Sequence, residues 1–170
     1  MEQTATMTTD AKERFGTLLE EHRGIVLKVV GTYAFGPDDR ADLTQEIAAQ
    51  LWRAYPRYDA AHTFSTWMYR IALNVAISHV RSSVYRNKHS VALDDALHDI
   101  ADESGIDFES GQRVRALHRF IRQLPRLDRA LMLLYLEDRG TREIAEILGI
   151  GESNVTTKIS RLKQRIRNEL

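Results

Sequence analysis

The chain has 170 residues, 43% of them hydrophobic and 28% charged, with 24 basic and 24 acidic side chains and no net charge. It contains no cysteine, which excludes a disulfide framework, a thiolate metal site and a thiol nucleophile, and fits a reducing compartment. No apolar run approaches the ~20 residues of a membrane span, and the opening MEQTATMTTDAKER lacks the basic-then-apolar order of a secretory signal. A soluble, cytoplasmic protein without membrane insertion is expected.

Counted by segment, the charge is −1 over residues 1–81, −5 over 82–111 and +6 over 112–170. The zero total therefore does not argue against a nucleic-acid partner, because one end is basic and the middle acidic.

The apolar spacing is helical almost throughout. Phe15, Leu18, Leu19, His22, Val26, Val29, Val30 and Tyr33 recur at three- and four-residue intervals, predicting one helix over about 9–33. Gly36-Pro37-Asp38 interrupts it, and Asp38 is placed to cap a second helix that buries Leu43, Ile47, Leu51 and Ala54 and stops before Pro56. Asp42, Gln45, Glu46, Ala49 and Arg53 fall on its opposite face, which the pattern reads as ordinary solvent-facing surface or a docking surface, with the former favoured. After the loop 57–62, a third helix is expected over about 63–81, with Trp67, Met68, Ile71, Ala72, Val75 and Val80 as its apolar set. Tyr58, Phe64, Trp67 and Tyr69 gather around the loop before it.

Periodicity fades between Ser82 and Gly111, where Ser, Asp and Gly dominate, and this stretch reads as a linker. Helical order returns with Val114, Leu117, Ile121 and Leu124 before Pro125. The apolar run from Ala130 to Leu136 follows, ended by Gly140, and then two short helices over 142–148 and about 153–167. No strand-like alternation, internal repeat or nucleotide-binding glycine fingerprint appears. The fold class is all-α, in two lobes.

The last two helices form the most specific local pattern. Ala145 keeps a close helix–helix approach small, Gly149 can end the first helix in a left-handed conformation, and Val155 packs the second helix back onto Ile144 and Leu148. Val155, Ile159, Leu162 and Ile166 form an inward stripe. The outward residues carry five basic and no acidic side chains between Ser153 and Arg167. This is a helix-turn-helix whose second helix suits a DNA major groove.

Taken in order, Asp42-Leu-Thr-Gln-Glu-Ile, Leu51-Trp-Arg-Ala-Tyr and Phe64-Ser-Thr-Trp-Met-Tyr-Arg-Ile-Ala-Leu-Asn-Val-Ala form a recognisable series. With the helix-turn-helix, they make the chain resemble the extracytoplasmic-function, or group IV, sigma factors of the sigma-70 family. The resemblance implies a sigma domain two over 9–83, a flexible acidic linker over 84–111 and a sigma domain four over 112–170. It also implies a non-catalytic subunit that gives core RNA polymerase its promoter specificity.

Carried over by position, the resemblance places Asp42, Gln45 and Glu46 on the clamp helices of the polymerase largest subunit. Domain four would meet the flap of the second-largest subunit. Tyr58, His62, Phe64, Arg70 and Asn74 would read the −10 element, with Tyr58 and Phe64 stacking on or wedging opened bases. Asn154, Thr156, Thr157, Lys158, Ser160, Arg161, Lys163 and Arg165 would meet the −35 element, the lysines and Arg165 at phosphates. Thr156 and Thr157 depart from the basic-plus-small pair common in the family. The partners implied are core polymerase, promoter DNA and an anti-sigma factor, with no metal, cofactor or small-molecule substrate.

The 30 residues from Ser82 to Gly111 span at most ~100 Å at about 3.3–3.6 Å each, enough for elements roughly 25 base pairs, or ~85 Å, apart. Their carboxylates, Asp94, Asp95, Asp99 and Asp102, would mimic nucleic acid inside the polymerase. Two other readings give less to the chain. A stand-alone dimeric helix-turn-helix regulator leaves the series from Asp42 to Asn74 without a role. A metal hydrolase built on His98-Asp99 with Asp94 and Asp95 would sit in the least periodic segment, without an HExxH-type spacing.

Overall fold

A computed structural model of the chain describes residues 8–87 and 108–170. The described residues form eight α-helices and one 3-10 turn, with no strand among them. In the N-terminal lobe these are α1 (Thr9–Glu21), α2 (Arg23–Tyr33), α3 (Pro37–Ala54), the 3-10 turn Tyr55–Arg57 and α4 (Phe64–Asn87). The C-terminal lobe comprises α5 (Phe108–Gln123), α6 (Arg126–Leu136), α7 (Thr141–Leu148) and α8 (Glu152–Glu169).

The single helix expected over 9–33 is two. His22 lies between them at φ −109° and ψ 14°, outside helical geometry, and its ring Nδ1 lies 2.9 Å from the carbonyl of Leu18. The same carbonyl also accepts the backbone N–H of His22 at 3.1 Å, closing the last turn of α1. The stripe read as continuous still faces one way: Phe15 on α1 and Val26, Val29, Val30 and Tyr33 on α2 are all buried.

The start of α3 also differs from expectation. Asp38 is not the cap; Gly36 is, at φ 91°, with Pro37 in the first turn. Only glycine takes that φ without strain, and proline's missing N–H costs nothing in a first helical turn. Asp39 reaches back instead, accepting the backbone N–H of Phe35 at 3.2 Å. At α4, Thr63 is the cap, its Oγ1 accepting the N–H of Thr66 at 3.3 Å.

Helix α4 continues past Arg81 to Asn87, into the stretch read as linker, and α5 begins at Phe108, before that stretch was expected to end. Asp94, Asp95, His98, Asp99 and Asp102 lie outside the described residues. Gly140 does not end α6. Asp138 does, at φ 58°, and the N–H groups of Asp138 and Arg139 return to the carbonyls of Tyr135 and Leu134. This is a Schellman closure with aspartate in the usual glycine position.

The two lobes pack directly on one another, and one continuous core runs from Phe15 to Leu162. Helices α2 and α4 supply the N-terminal side of the contact and α5, α6 and α7 the C-terminal side. Tyr33 on α2 donates to the carbonyl of Arg126, and Arg126 donates to the carbonyl of Ile77 on α4. The guanidiniums of Arg122, Arg129 and Arg139 lie over the rings of Phe35, Tyr33 and Tyr69, respectively.

Candidate nucleic-acid interface

The helix-turn-helix is α7 and α8. Gly149 sits at φ 67°, and the N–H groups of Gly149 and Ile150 both reach the carbonyl of Ala145, so α7 ends sharply and the chain turns at once into α8. Val155, Ile159 and Leu162 are buried, as are Ile144 and Ile147 on α7. That apolar seam locks the angle between the two helices and leaves the other side of α8 to solvent. Asn154, Thr156, Thr157, Ser160 and Arg161 are exposed on it.

Three other basic residues of α8 are engaged within the lobe. Lys158 lies 3.5 Å from Asp128 on α6. The ammonium of Lys163 lies over the Tyr135 ring at 4.6 Å. Arg165 lies over the Phe120 ring at 5.2 Å and pairs with Glu169. These side chains lean along apolar surface with their charged ends outward, which fixes where their charge is presented.

In the N-terminal lobe, Asp42, Gln45 and Glu46 are exposed on one face of α3, opposite the buried Leu43, Ile47 and Leu51. Arg70 and Asn74 are exposed one turn apart on α4. The loop before α4 is held by its own bonds: the Tyr58 hydroxyl donates to the carbonyl of His62, and the Asp59 carboxylate accepts the N–H of Ala61.

Beneath that loop lies a ring cluster. Phe64 packs against His22, Tyr58 and Trp67 with centroids 5.0, 5.6 and 5.2 Å away, and Tyr55 and Phe15 extend the cluster to Trp52. Phe64 is 6% exposed and Tyr58 is half-buried. The Phe64 ring therefore belongs to the support of the loop in this arrangement, whereas His62, Arg70 and Asn74 face outward.

Helix α7 lies against this same loop. Its Glu143 accepts hydrogen bonds from Thr66 at 3.0 Å and from Arg139 at 2.7 Å, and Arg139 also donates to Ser65 at 3.1 Å. Glu146 pairs with the ring of His62. Two carboxylates of the helix-turn-helix thus occupy the start of α4 and the loop ahead of it. Sequence patterning did not single out Glu143 and Glu146; an acidic pair at i, i+3 on an otherwise basic lobe was the available signal.

Two tyrosines are buried where the lobes meet. Burial pushes the Tyr33 phenol well above its ordinary range, against the opposing influence of Arg129. Burial of Arg129 in turn lowers its own pKa. The Tyr69 phenol is pushed up to about 12, by burial first and then by the nearby Glu137 carboxylate. Its hydroxyl meets no hydrogen-bond partner of good geometry among the described residues, while the Arg139 guanidinium, 5.1 Å from the ring centroid, opposes the rise.

Two family models match the chain, and together they cover most of it: Sigma-70 region 2 over residues 18–84 and Sigma-70, region 4 over residues 114–166. The chain belongs to the extracytoplasmic-function group of the sigma-70 family. It is 27% identical over 168 residues to the RNA polymerase sigma-H factor of Pseudomonas aeruginosa, covering 94% of this chain and 87% of that protein. It is 29% identical over 133 residues to the probable RNA polymerase sigma factor RfaY of Xanthomonas campestris, covering 76% of this chain but 33% of that longer protein. The sigma factor RpoE of Bartonella quintana, solved with the anti-sigma factor NepR, superposes with a TM-score of 0.68 at 16% identity, over 95% of this chain and 96% of that one. That likeness carries the two-lobed helical fold of the sigma factor. No helix among its described residues is long and apolar enough to cross a membrane.

Proposed function

We propose that this sigma factor is a non-catalytic, cytoplasmic subunit that lends core RNA polymerase its promoter specificity through two separate reading surfaces. The observation that carries the proposal is the exposed polar face of α8, with Thr156, Thr157, Ser160 and Arg161 presented by a glycine-turned helix-turn-helix. Such a face enters a major groove with its N-terminal residues on base edges. Asn154 joins it at the base edges, and Lys158, Lys163 and Arg165 supply charge toward the flanking phosphates.

In the same reading the α3 face of Asp42, Gln45 and Glu46 docks on the polymerase clamp helices, and the C-terminal lobe meets the flap. His62, Arg70 and Asn74 contact the −10 strand. Tyr58 and Phe64 brace the loop and stack on an unpaired base when the loop is remodelled; stacking on an aromatic ring contributes about 1–3 kcal/mol per base. Reading both elements at once requires the lobes to separate, since elements roughly 25 base pairs apart lie ~85 Å from each other and the lobes here are in contact. An anti-sigma factor would act by holding the lobes in this closed arrangement.

The test is run-off transcription with core polymerase on a randomised promoter library. The protein alone should bind promoter duplex weakly, whereas the holoenzyme should select discrete −35 and −10 sequences. Asn74→Ala should lower promoter opening at unchanged core affinity. Specific duplex binding by the protein alone, as a dimer, would overturn the reading.

A further inference from the structure

His79 lies on α4, on the side facing α3, and is 6% exposed. A buried imidazole in an apolar helix face needs polar partners, and the partners it has are informative. Its Nε2 lies 2.6 Å from Oδ1 of Asp39, and its Nδ1 lies 3.4 Å from Oε2 of Glu46. Asp39 is held in turn, because its second oxygen accepts the N–H of Phe35. The chain of contacts runs from the end of α2, through the first turn of α3, across a buried ring on α4, and out to Glu46.

Glu46 is the outermost member. Its side chain is 51% exposed, so one carboxylate oxygen turns inward to His79 while the rest of the group remains available on the docking face beside Asp42 and Gln45. A free glutamate on a helix surface samples several rotamers, and ordering it on binding costs free energy that a pre-ordered one avoids.

From this geometry we infer that His79 is a positioning residue for polymerase docking: held by Asp39, it sets the rotamer of Glu46 on the α3 face. The inference rests on the proposed role of that face. It also gives α4 a second duty. The helix whose outward residues Arg70 and Asn74 face the −10 strand holds, from its inward side, the carboxylate that meets the polymerase.

The experiment is a double-mutant cycle on the full-length protein, with affinity for core RNA polymerase measured by fluorescence anisotropy of a labelled sigma factor. Glu46→Gln should weaken binding. His79→Phe, which keeps a ring of similar volume without its hydrogen bonds, should weaken it by roughly fivefold, the upper scale of one half-exposed ionic contact. In the Glu46→Gln background, His79→Phe should change affinity less than about twofold, since there is no longer a carboxylate to orient. Asp39→Asn should reproduce His79→Phe and likewise lose its effect in that background.

A His79→Phe effect that persists in full beside Glu46→Gln, or wild-type affinity of His79→Phe itself, overturns the inference. If His79→Phe does not give the native helical circular dichroism, His79→Gln takes its place in the same cycle and is read the same way. Failure of the docking-face reading is distinguishable: there Glu46→Gln itself binds core polymerase as tightly as the wild type.

Discussion

The hydroxyl of Tyr33 donates a hydrogen bond of 2.6 Å to the backbone carbonyl of Arg126, a residue of the other lobe 93 positions away. The bond joins the end of α2 to the first residue of α6. It lies in a buried seam where Arg129 covers the Tyr33 ring. A hydrogen bond at that depth ties the closed arrangement to one side chain.

Tyr33→Phe should therefore loosen the closure while leaving each lobe folded. Removing the donor deletes one buried hydrogen bond between the lobes, at a cost of about 0.5–1.5 kcal/mol. Limited proteolysis of the segment joining the lobes and a lower melting temperature, with unchanged far-ultraviolet circular dichroism, are the expected signs. A melting curve identical to wild type would mean that the bond contributes nothing.

Tyr69 predicts the opposite outcome. Its hydroxyl is buried without a partner among the described residues, so Tyr69→Phe should leave stability unchanged or raise it. The raised pKa, from 10.0 to about 12, means that the closed fold disfavours the phenolate. The stability associated with keeping it neutral is fully present below about pH 10 and is lost as pH rises through about 12. Spectrophotometric titration near 295 nm should show a late phenol near pH 12 that disappears in Tyr69→Phe.

Glu143 and Glu146 hold α7 against the start of α4 and the loop before it, through Thr66, Arg139 and His62. Both contacts are partly exposed, so each contributes at most about 1 kcal/mol. The double variant Glu143→Gln, Glu146→Gln should open the lobes more readily and raise binding of a single-stranded −10 oligonucleotide by roughly two- to tenfold. Unchanged binding, with unchanged interlobe distance by fluorescence energy transfer, would show that these carboxylates do not guard the loop.

Gly149 tests the proposed C-terminal reading surface. At φ 67°, with open space around it, alanine meets no clash, and the penalty is conformational alone, about 1 kcal/mol. Gly149→Ala should cost that much stability and reduce −35-dependent transcription more than −10 melting, because the angle of α8 is set at this turn. Arg161→Ala, exposed on the reading face, should lower −35 affinity by about 1–3 kcal/mol without affecting stability. Equal loss of both promoter elements in either variant would contradict the division of labour between lobes.

Much of the helix content was readable from local pattern, and so was the turn at Gly149. Three- and four-residue apolar spacing is a property of one helix and its own buried side, which is why the stripe Val155, Ile159, Leu162 lay where expected. The break at His22 and the end of α6 at Asp138 were not readable. Each depends on a local backbone choice that His22 or Asp138 can make but does not require. The burial of Phe64 and the intralobe partners of Lys158, Lys163 and Arg165 depend on which helix lies alongside.

Sequence alone determined that this chain would be helical, that its basic charge would gather at one end, and that a left-handed glycine would set a recognition helix at a sharp angle. These follow from periodicity and from the backbone preferences of single residues. Tertiary structure alone decided that the two lobes close on each other, that Glu143 and Glu146 cover the loop read as the −10 surface, and that His79 stands between Asp39 and Glu46. Those contacts join residues tens of positions apart, and no local spacing encodes which distant carboxylate a buried ring or a loop hydroxyl will meet.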